Sequence, residues 1–274
     1  ISPGTVIVSS GGQVSDIKKV VSPVLQKRPS TLYHIDFSFC ELRLGGSAFA
    51  QSLGKVGSDV PTVRDAEYFR DAFNAVQDLI KRGLILAGHD ISAGGLITCL
   101  LEMCFANTDG GLDINLDKMK CDDIVKLLFA ENPGIVIQVA DEHRTDVKKL
   151  LEAAGVGYVS LGRPSDERRI LIKKGEAQWQ FDVDSLRDVW FRTSYLLDQK
   201  QSFNGKAKER MENLGKQPLK WQMPKGFTGK LSQFGLNPDR REKSGIKAAI
   251  IREKGTNGER EMAYMLYLAG FDVK

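Results

Sequence analysis

The order of apolar and polar residues predicts a chain of alternating strands and helices. The clearest amphipathic pattern runs over residues 61–83, where apolar side chains recur at intervals of three and four and Gly83 follows as a helix stop. Short runs rich in β-branched and aromatic residues predict the strands. The predicted strands cover residues 5–9, 31–39, 84–87, 112–116, 134–140, 158–162, 169–173 and 178–183, and further predicted helices cover residues 16–26, 96–106, 122–130, 141–154 and 184–199.

The segment over residues 134–162 has the order strand–helix–strand. This order is typical of the split βαβ layer of ferredoxin-like folds. Asp141 and Asp184 each stand where a short acid caps a helix. The pattern therefore predicts an α+β domain, a mixed sheet with helices, over residues 1–183.

The periodic pattern weakens after residue 199. A polar, basic stretch rich in Gly, Pro, Asn and Lys predicts a helix and basic linker over residues 184–245. A new unit then begins, with a strand at 248–251, a helix at 259–269 and the first residues of a strand at 271–273. Because a β–α–β unit that stops at its second strand cannot cover both faces of a sheet, we expect residues 246–274 to be the truncated start of a further α/β domain.

The most informative turn is GHDISAGG, residues 88–95, between a predicted strand and an apolar helix. Its glycines allow close approach of backbone to a ligand, and the N–H groups of a helix start favour anions. Asp90 offers an oxygen ligand suited to Mg²⁺. Ser92 stands at the predicted N-cap, where its hydroxyl binds a helix N–H or a phosphate oxygen. The same residues also suit a turn that bonds only to its own backbone, so both interpretations stay open.

Two further features also allow two interpretations each. The run Gly45-Gly46-Ser47 precedes a helix of small residues, which fits either contact with a substrate or phosphate or close packing on a neighbouring backbone. Thr98 and Glu102 lie four residues apart on one face of the helix after the turn. That face is directed either to the site or to solvent.

The composition fits a globular protein, with 274 residues of which 42% are hydrophobic and 27% charged. No apolar run reaches the about 18 residues of a membrane span, so no membrane partner is expected. The cysteines are scattered without a CxxC pair, which disfavours a zinc site and favours reduced thiols in a cytoplasmic protein. They are Cys40, Cys99, Cys104 and Cys121.

The net charge of +4 is distributed unevenly. Residues 200–247 contain twelve Lys or Arg and four Asp or Glu. Such a segment can attract nucleic acid. It carries no recognised nucleic-acid motif, however, so we interpret it as a solvated linker or a strip packed on an acidic neighbour, and we expect no nucleic-acid partner.

Four motifs together resemble the long single-chain phosphoribosylformylglycinamidine synthases, also called FGAR amidotransferases. The motifs are RLGGSAFAQ at 43–51, GHDISAGGLITCLLEMCFAN at 88–107, LRDVWFRTSYLL at 186–197 and AIIREKGTNGEREMAYMLYLAGFDV at 249–273. The resemblance covers essentially the whole chain. It implies that residues 1–183 are similar to the C-terminal domain of AIR synthase, and that residues 246–274 resemble the opening of a class I glutamine amidotransferase domain.

The resemblance implies an enzyme of purine biosynthesis. Such ligases convert formylglycinamide ribonucleotide (FGAR), ATP and glutamine into formylglycinamidine ribonucleotide, ADP, phosphate and glutamate. The matched motif implies that Asp90 binds Mg²⁺ and that Ser92 contacts the ATP or ADP. The family's glutaminase cysteine and its other nucleotide and Mg²⁺ ligands match no residue here. We therefore expect this stretch alone to be inactive and to act with the remaining domains of the same chain.

Two rival functions come from other classes. A kinase-like relative of selenophosphate synthetase or AIR synthase would share the Asp-x-Ser-x-Gly-Gly-Leu core, but such enzymes do not carry the motif at 249–273. A non-enzymatic basic binding module would use residues 200–247. The sequence leaves open whether Asp90 and Ser92 belong to the working active site or to a second, auxiliary nucleotide site.

Overall fold

The computed structural model describes residues 8–12, 14, 16–216, 222 and 224–274. The predicted strand at 5–9 begins outside these residues, and its described part, Val8 and Ser9, is not in a strand. The chain divides into two compact units, Ile1–Pro218 and Leu219–Lys274. The predicted boundaries at residues 183 and 245 stay predictions.

The first unit alternates strands and helices. Its elements are β1 (Ser30–Asp36), α1 (Ala48–Ser52), α2 (Ala66–Lys81), β2 (Ala87–Asp90), α3 (Gly95–Phe105), β3 (Gly111–Asn115), α4 (Ile124–Phe129), β4 (Gly134–Ala140), α5 (Arg144–Ala153), β5 (Tyr158–Ser165), β6 (Arg169–Lys174), β7 (Ala177–Asp182), α6 (Val183–Gln201) and α7 (Lys206–Asn213).

The strands of this unit form one mixed sheet in the order β2-β4-β1-β5-β3-β6-β7. Strand β1 lies between β4 and β5 and is antiparallel to both. The segment β4–α5–β5 is therefore a βαβ unit whose two strands are separated by a third. This arrangement confirms the predicted split βαβ layer and the α+β fold class.

Two apolar clusters hold the helices against the sheet. One gathers α3 and α4 with side chains of β3 and β6, and Leu100 and Met103 of α3 have no exposed surface in it. The other gathers α2 and α5 with side chains of β1 and β4, including Leu79 and Ile137. Helix α3 contributes buried residues on almost every side, which explains why its sequence is apolar all round.

The cysteines of α3 are core residues. Cys99 and Cys104 are buried, and the four cysteines are free. Burial raises the pKa of Cys104 to about 12, so its sulfur stays a thiol at physiological pH. Both side chains therefore act as small apolar residues rather than nucleophiles.

The predicted helix at 16–26 is wrong. Only Ile17–Lys19 forms a single 3₁₀ turn. Pro23 disfavours helical backbone in the residue before it, and the chain instead runs along the sheet edge. There the N–H of Gly88 donates to the carbonyl of Ser22 over 3.1 Å.

Two predicted helix caps are also wrong. Helix α6 is capped by Asp182, whose carboxylate accepts from the N–H of Ser185 over 2.7 Å, while Asp184 lies in the first turn. Asp141 lies in a 3₁₀ turn before α5, and its carboxylate accepts from the Thr31 hydroxyl over 2.9 Å. The start of α6 lies two residues earlier than predicted, so Asp182 rather than Asp184 meets its unpaired N–H groups, whereas α5 begins at Arg144 without a side-chain cap.

Helix α7 lies where the sequence predicts a linker. It is polar along its length and buries only Ala207, so no apolar periodicity marks it. Ion pairs stabilise it instead, between Lys206 and Glu209 at 2.7 Å and between Arg210 and Asp198 of α6 at 2.6 Å.

The second unit contains β8 (Lys247–Ala248), α8 (Glu259–Leu268) and β9 (Asp272–Val273). The two strands are parallel and joined through the helix, as the strand–helix–strand pattern predicts. Among the described residues of both units, no helix is at once long enough and apolar enough to cross a bilayer.

Replacing Asp182 by Ala removes the α6 cap, and we expect the free energy of unfolding to fall by about 1 kcal/mol. Hydrogen bonds from Ser185 hold the pKa of Asp182 below its usual value of 3.8. The higher unfolding free energy of the wild-type chain is therefore present above pH 3.8 and is lost as the pH falls through the lowered pKa of Asp182 in the folded state. Urea denaturation at several pH values measures the difference, with the exposed Asp166→Ala as the control. A difference that persists in strong acid would contradict a carboxylate cap.

Candidate functional site

The site predicted around Asp90 lies at one end of the sheet. Strand β2 covers Ala87–Asp90 rather than the predicted 84–87, so Asp90 is the last residue of a strand and not part of the turn. Asp90 is opposite Ile135 of β4, and Asp36 of β1 is opposite Gly134. Both β1 and β2 are antiparallel to β4, so these two acids end strands that run the same way and lie about 10 Å apart, two strand spacings.

A histidine connects Asp90 to helix α3. His89 Nδ1 lies 3.2 Å from Asp90 Oδ1, and His89 Nε2 lies 3.1 Å from Glu102 Oε2. The side chain of Glu102 is 24% exposed whereas that of Asp90 is 69% exposed. Of the two interpretations of the α3 polar face, Glu102 therefore fits the one directed to the site. The Asp90 carboxylate is therefore accessible to solvent, and the neighbouring His89 imidazole contacts Glu102 on its other side.

Ser92 is not the N-cap of α3, contrary to the prediction. The N-cap is Gly94, with φ 88°, a conformation that glycine adopts without strain. The N–H of Gly95 donates to the carbonyl of Ser92 over 3.0 Å. Ser92 and Ala93 are exposed, and within the described part of the chain their N–H groups have no acceptor. The groups available to an anion are therefore in the turn itself.

Gly95 is required at its position by packing. Its φ is 73°, and a Cβ there would lie 2.6 Å from the carbonyl oxygen of Leu128 and 2.7 Å from the backbone of Phe129. The start of α3 thus lies directly on the end of α4. Any side chain at residue 95 would push these two helices apart.

The run Gly45-Gly46-Ser47 also serves close packing. The N–H of Gly45 donates to the carbonyl of Asp59 over 2.8 Å, and a Cβ on Gly45 would lie 2.6 Å from that backbone. The hydroxyl of Ser47 accepts from the N–H of Ala50 over 3.2 Å and caps α1. Of the two interpretations, the structure bears out packing.

Glu131 joins the two glycine-rich motifs. Its Oε1 accepts from the N–H of Ala48 over 2.7 Å, at the start of α1, and from the N–H of Gly94 over 2.8 Å, at the start of α3. A carboxylate is thus placed at two helix N-termini, where negative charge is favoured. Beside it, the rings of Phe49 and Phe129 stack with centroids 4.7 Å apart.

Asn132 extends the same connection to β1. It is buried, with 4% of its surface exposed. Its amide donates to the Ser38 hydroxyl over 3.2 Å and to the carbonyl of Glu41 over 3.0 Å, and its carbonyl accepts from the N–H of Arg43 over 3.1 Å. The sequence pattern does not single out Glu131 and Asn132. Their signal is two polar residues between a helix and an apolar strand, which is weak without knowledge of distant partners.

The residues present fit a magnesium ion held by Asp90 together with phosphate oxygens, rather than one held by protein ligands alone. Among the described residues no group of three or more His, Cys, Asp and Glu side chains is placed to hold a metal. Mg²⁺ is commonly bound by one or two carboxylates together with phosphate oxygens and water. The exposed carboxylate of Asp90, with an exposed serine and unpaired N–H groups in the turn that follows, meets that description.

Residues 33–173 match the family model of the AIR synthase related protein, C-terminal domain. Two curated relatives match 99% of the chain. The probable phosphoribosylformylglycinamidine synthase, chloroplastic/mitochondrial, of Arabidopsis thaliana is 33% identical over 279 residues, and the phosphoribosylformylglycinamidine synthase of Homo sapiens is 34% identical over 286 residues. The chain spans 19% and 20% of their respective lengths.

Among solved structures, T. maritima PurL complexed with FGAR has a TM-score of 0.51 at 12% identity, covering 62% of this chain and 30% of that chain. At that identity the likeness shows the fold alone. Together these matches confirm the resemblance drawn from the four motifs and the AIR-synthase-like fold class. The cytoplasmic location stays a prediction, since the name of the Arabidopsis relative refers to other compartments.

Replacing Glu131 by Ala leaves the N–H groups of Ala48 and Gly94 without their acceptor. We expect the free energy of unfolding to fall by about 1–3 kcal/mol. Glu131→Gln keeps a carbonyl oxygen and should lose less. Urea denaturation measures both, with the exposed turn variant Glu176→Ala as the matched control. An Ala variant as stable as the wild-type chain would contradict the joining role.

Proposed function

The chain belongs to the family of AIR synthase related proteins, through their C-terminal domain, and from this premise we propose that it is a segment of a phosphoribosylformylglycinamidine synthase. The proposed reaction converts FGAR, ATP and glutamine into formylglycinamidine ribonucleotide, ADP, phosphate and glutamate. The names of the two relatives support this activity. Their matches extend over 99% of the chain, including residues 249–273, the motif that distinguishes such ligases from AIR synthase and selenophosphate synthetase.

In this proposal Asp90 is a ligand of Mg²⁺ and Ser92 contacts the phosphates of ATP or ADP. The observation that carries the assignment is the exposed Asp90 carboxylate at the end of β2, with the exposed Ser92 two residues later in the turn. Bound Mg²⁺ would supply positive charge to the phosphate oxygens. Among the chain's own residues, His89 lies beside Asp90, with Nδ1 2.9 Å from the Asp90 carbonyl oxygen and 3.2 Å from its carboxylate, and Glu102 lies 3.1 Å from the other ring nitrogen.

The proposed site is one part of a larger one. Glutamine hydrolysis and the remaining nucleotide and Mg²⁺ ligands are assigned to further domains of the same chain, because this sequence spans about a fifth of its relatives' length. The contribution of this segment is to present Asp90 at the end of β2 and Ser92 in the turn before α3.

We expect Asp90→Asn, in the full-length natural chain, to raise the Mg²⁺ concentration needed for half-maximal ATP-dependent amidine formation by about tenfold or more. The reason is the loss of a charged ligand worth about 1.5–3 kcal/mol, where 1.36 kcal/mol is a factor of ten. Ser92→Ala should weaken nucleotide binding in an equilibrium assay.

The control for both variants is Asp146→Asn, an exposed acid on α5. Metal dependence, nucleotide affinity and activity that all match the wild-type enzyme in Asp90→Asn would overturn the site assignment. Loss of fold is excluded by comparing thermal unfolding of the three variants.

A further inference from the structure

We propose that a cavity beside β1 is a second binding site, which takes a small molecule carrying a phosphate group and a ring. This cavity, termed the lysine cavity, has a volume of about 720 Å³, within the range of small-molecule sites. Its wall includes His34, Asp36, Phe39, Tyr68, Lys118, Lys120 and Lys126. It opens at the end of β1 that carries Asp36, the same end of the sheet as Asp90.

The cavity carries an excess of unpaired positive charge. Lys118, Lys120 and Lys126 all line it. None of the three ammonium groups has a carboxylate or carbonyl partner among the described residues, whereas six other lysines do. Three mobile ammonium groups around one cavity raise the local concentration of anions.

The acids of the same wall are mostly engaged elsewhere. Asp36 Oδ1 accepts from the Ser38 hydroxyl over 2.7 Å, and Asp36 Oδ2 accepts from the N–H of Phe39 over 3.0 Å. Asp59 is paired with Arg43 over 3.2 Å. Only Glu41 adds a carboxylate without a partner among the described residues of the wall. The charge available to a ligand is therefore positive.

An exposed aromatic ring stands at the cavity in a strained conformation. Phe39 has a φ of 48°, a positive value that residues other than glycine rarely adopt. Within the part of the chain that the structure describes, no other non-glycine residue has a positive φ. Its side chain is 55% exposed, and its ring lies 4.9 Å from the ring of Tyr68. Strain that exposes an apolar ring to a cavity is typical of ligand-binding loops. The two rings offer a surface on which a planar group stacks.

The remaining polar groups of the cavity are fixed and neutral. The hydroxyl of Tyr68 donates to the carbonyl of Asp36 over 3.0 Å and accepts from the N–H of Gly157 over 2.9 Å, which holds the ring in place. Burial lowers the pKa of His34 to about 4, so its imidazole is neutral at physiological pH and suits a hydroxyl or amide group. Phosphate at the lysines and a ring at Phe39 together describe a nucleotide or a ribosyl phosphate.

The lysine cavity is separate from the Asp90 site, since strand β4 lies between the two strand ends. Under the proposed function, the ribonucleotide substrate belongs to the ligand class of this cavity. Ligand binding to the lysine cavity requires neither Mg²⁺ nor catalytic turnover, so the affinity can be measured by titration alone.

The test is isothermal titration of the full-length natural chain, without Mg²⁺, with AMP, ribose 5-phosphate and inorganic phosphate. We expect the triple variant Lys118→Ala/Lys120→Ala/Lys126→Ala to weaken binding at least about tenfold, the equivalent of one charged contact. AMP and ribose 5-phosphate distinguish a stacked base from a bare sugar phosphate. The matched control is Lys148→Ala/Lys149→Ala/Lys200→Ala, which removes the same charge outside the cavity and should leave the affinity unchanged.

Equal weakening in the two triple variants would overturn the proposal, because binding would then follow overall charge. Absence of binding to the wild-type chain at about 1 mM of each ligand would overturn it too. Should the triple variant fold poorly, the single Lys→Ala variants and protection of the three lysines from acetylation by bound AMP give the same answer on folded protein. Asp90→Asn is judged by the Mg²⁺ dependence of activity and the lysine variants by affinity measured without Mg²⁺, so failure of either site is recognised separately.

Discussion

The structure at the functional end of the sheet depends on one carboxylate. Glu131 accepts hydrogen bonds from the first residue of α1 and from the N-cap of α3, so two helices that start far apart in the sequence share a single anionic acceptor. The next residue, Asn132, makes three further hydrogen bonds that hold the loop after β1 in place. Buried or half-buried amides that lose such a partner are costly. The segment before β4 therefore sets the positions of both glycine-rich motifs at once.

The order of strands in the sheet explains why Glu131 and Asn132 can contact several loops at once. Strand β4 lies between β2 and β1, so the residues that precede it emerge between the ends of those two strands. Asp90 ends one of them and Asp36 ends the other. Because β4 and β5 lie on either side of β1, loops from four parts of the chain meet at the same end of the sheet. In open α/β sheets, ligands bind at the ends of the strands.

Local sequence predicted most elements but not their exact ends or their distant partners. The periodicity of α2 and the apolar run of β4 were sufficient, because burial on one or both faces dominates there. The pattern predicts that the strand before Asp90 ends too early, since its last two residues, His89 and Asp90, are polar and lie on an edge strand. The residue pattern predicts Ser92 as the cap because it contains no sign of the positive φ of Gly94. The role of Glu131 depends on contacts 37 and 83 residues away, which no local pattern contains, and the ion pairs of α7 leave no apolar signature.

The central position of β1 also has a consequence for biosynthesis. Both partners of this strand come later in the chain: Ser30 pairs with Ala140, and Tyr33 pairs with Ser160. A ribosome adds about 5–20 residues each second, so a buried, apolar strand stays without either neighbour for several seconds while about 110 more residues are made. Such long-range pairing slows folding and exposes apolar surface to other chains. The amount of native protein that a cell obtains is therefore expected to depend on chaperone capacity and translation speed as well as on the stability of the finished sheet.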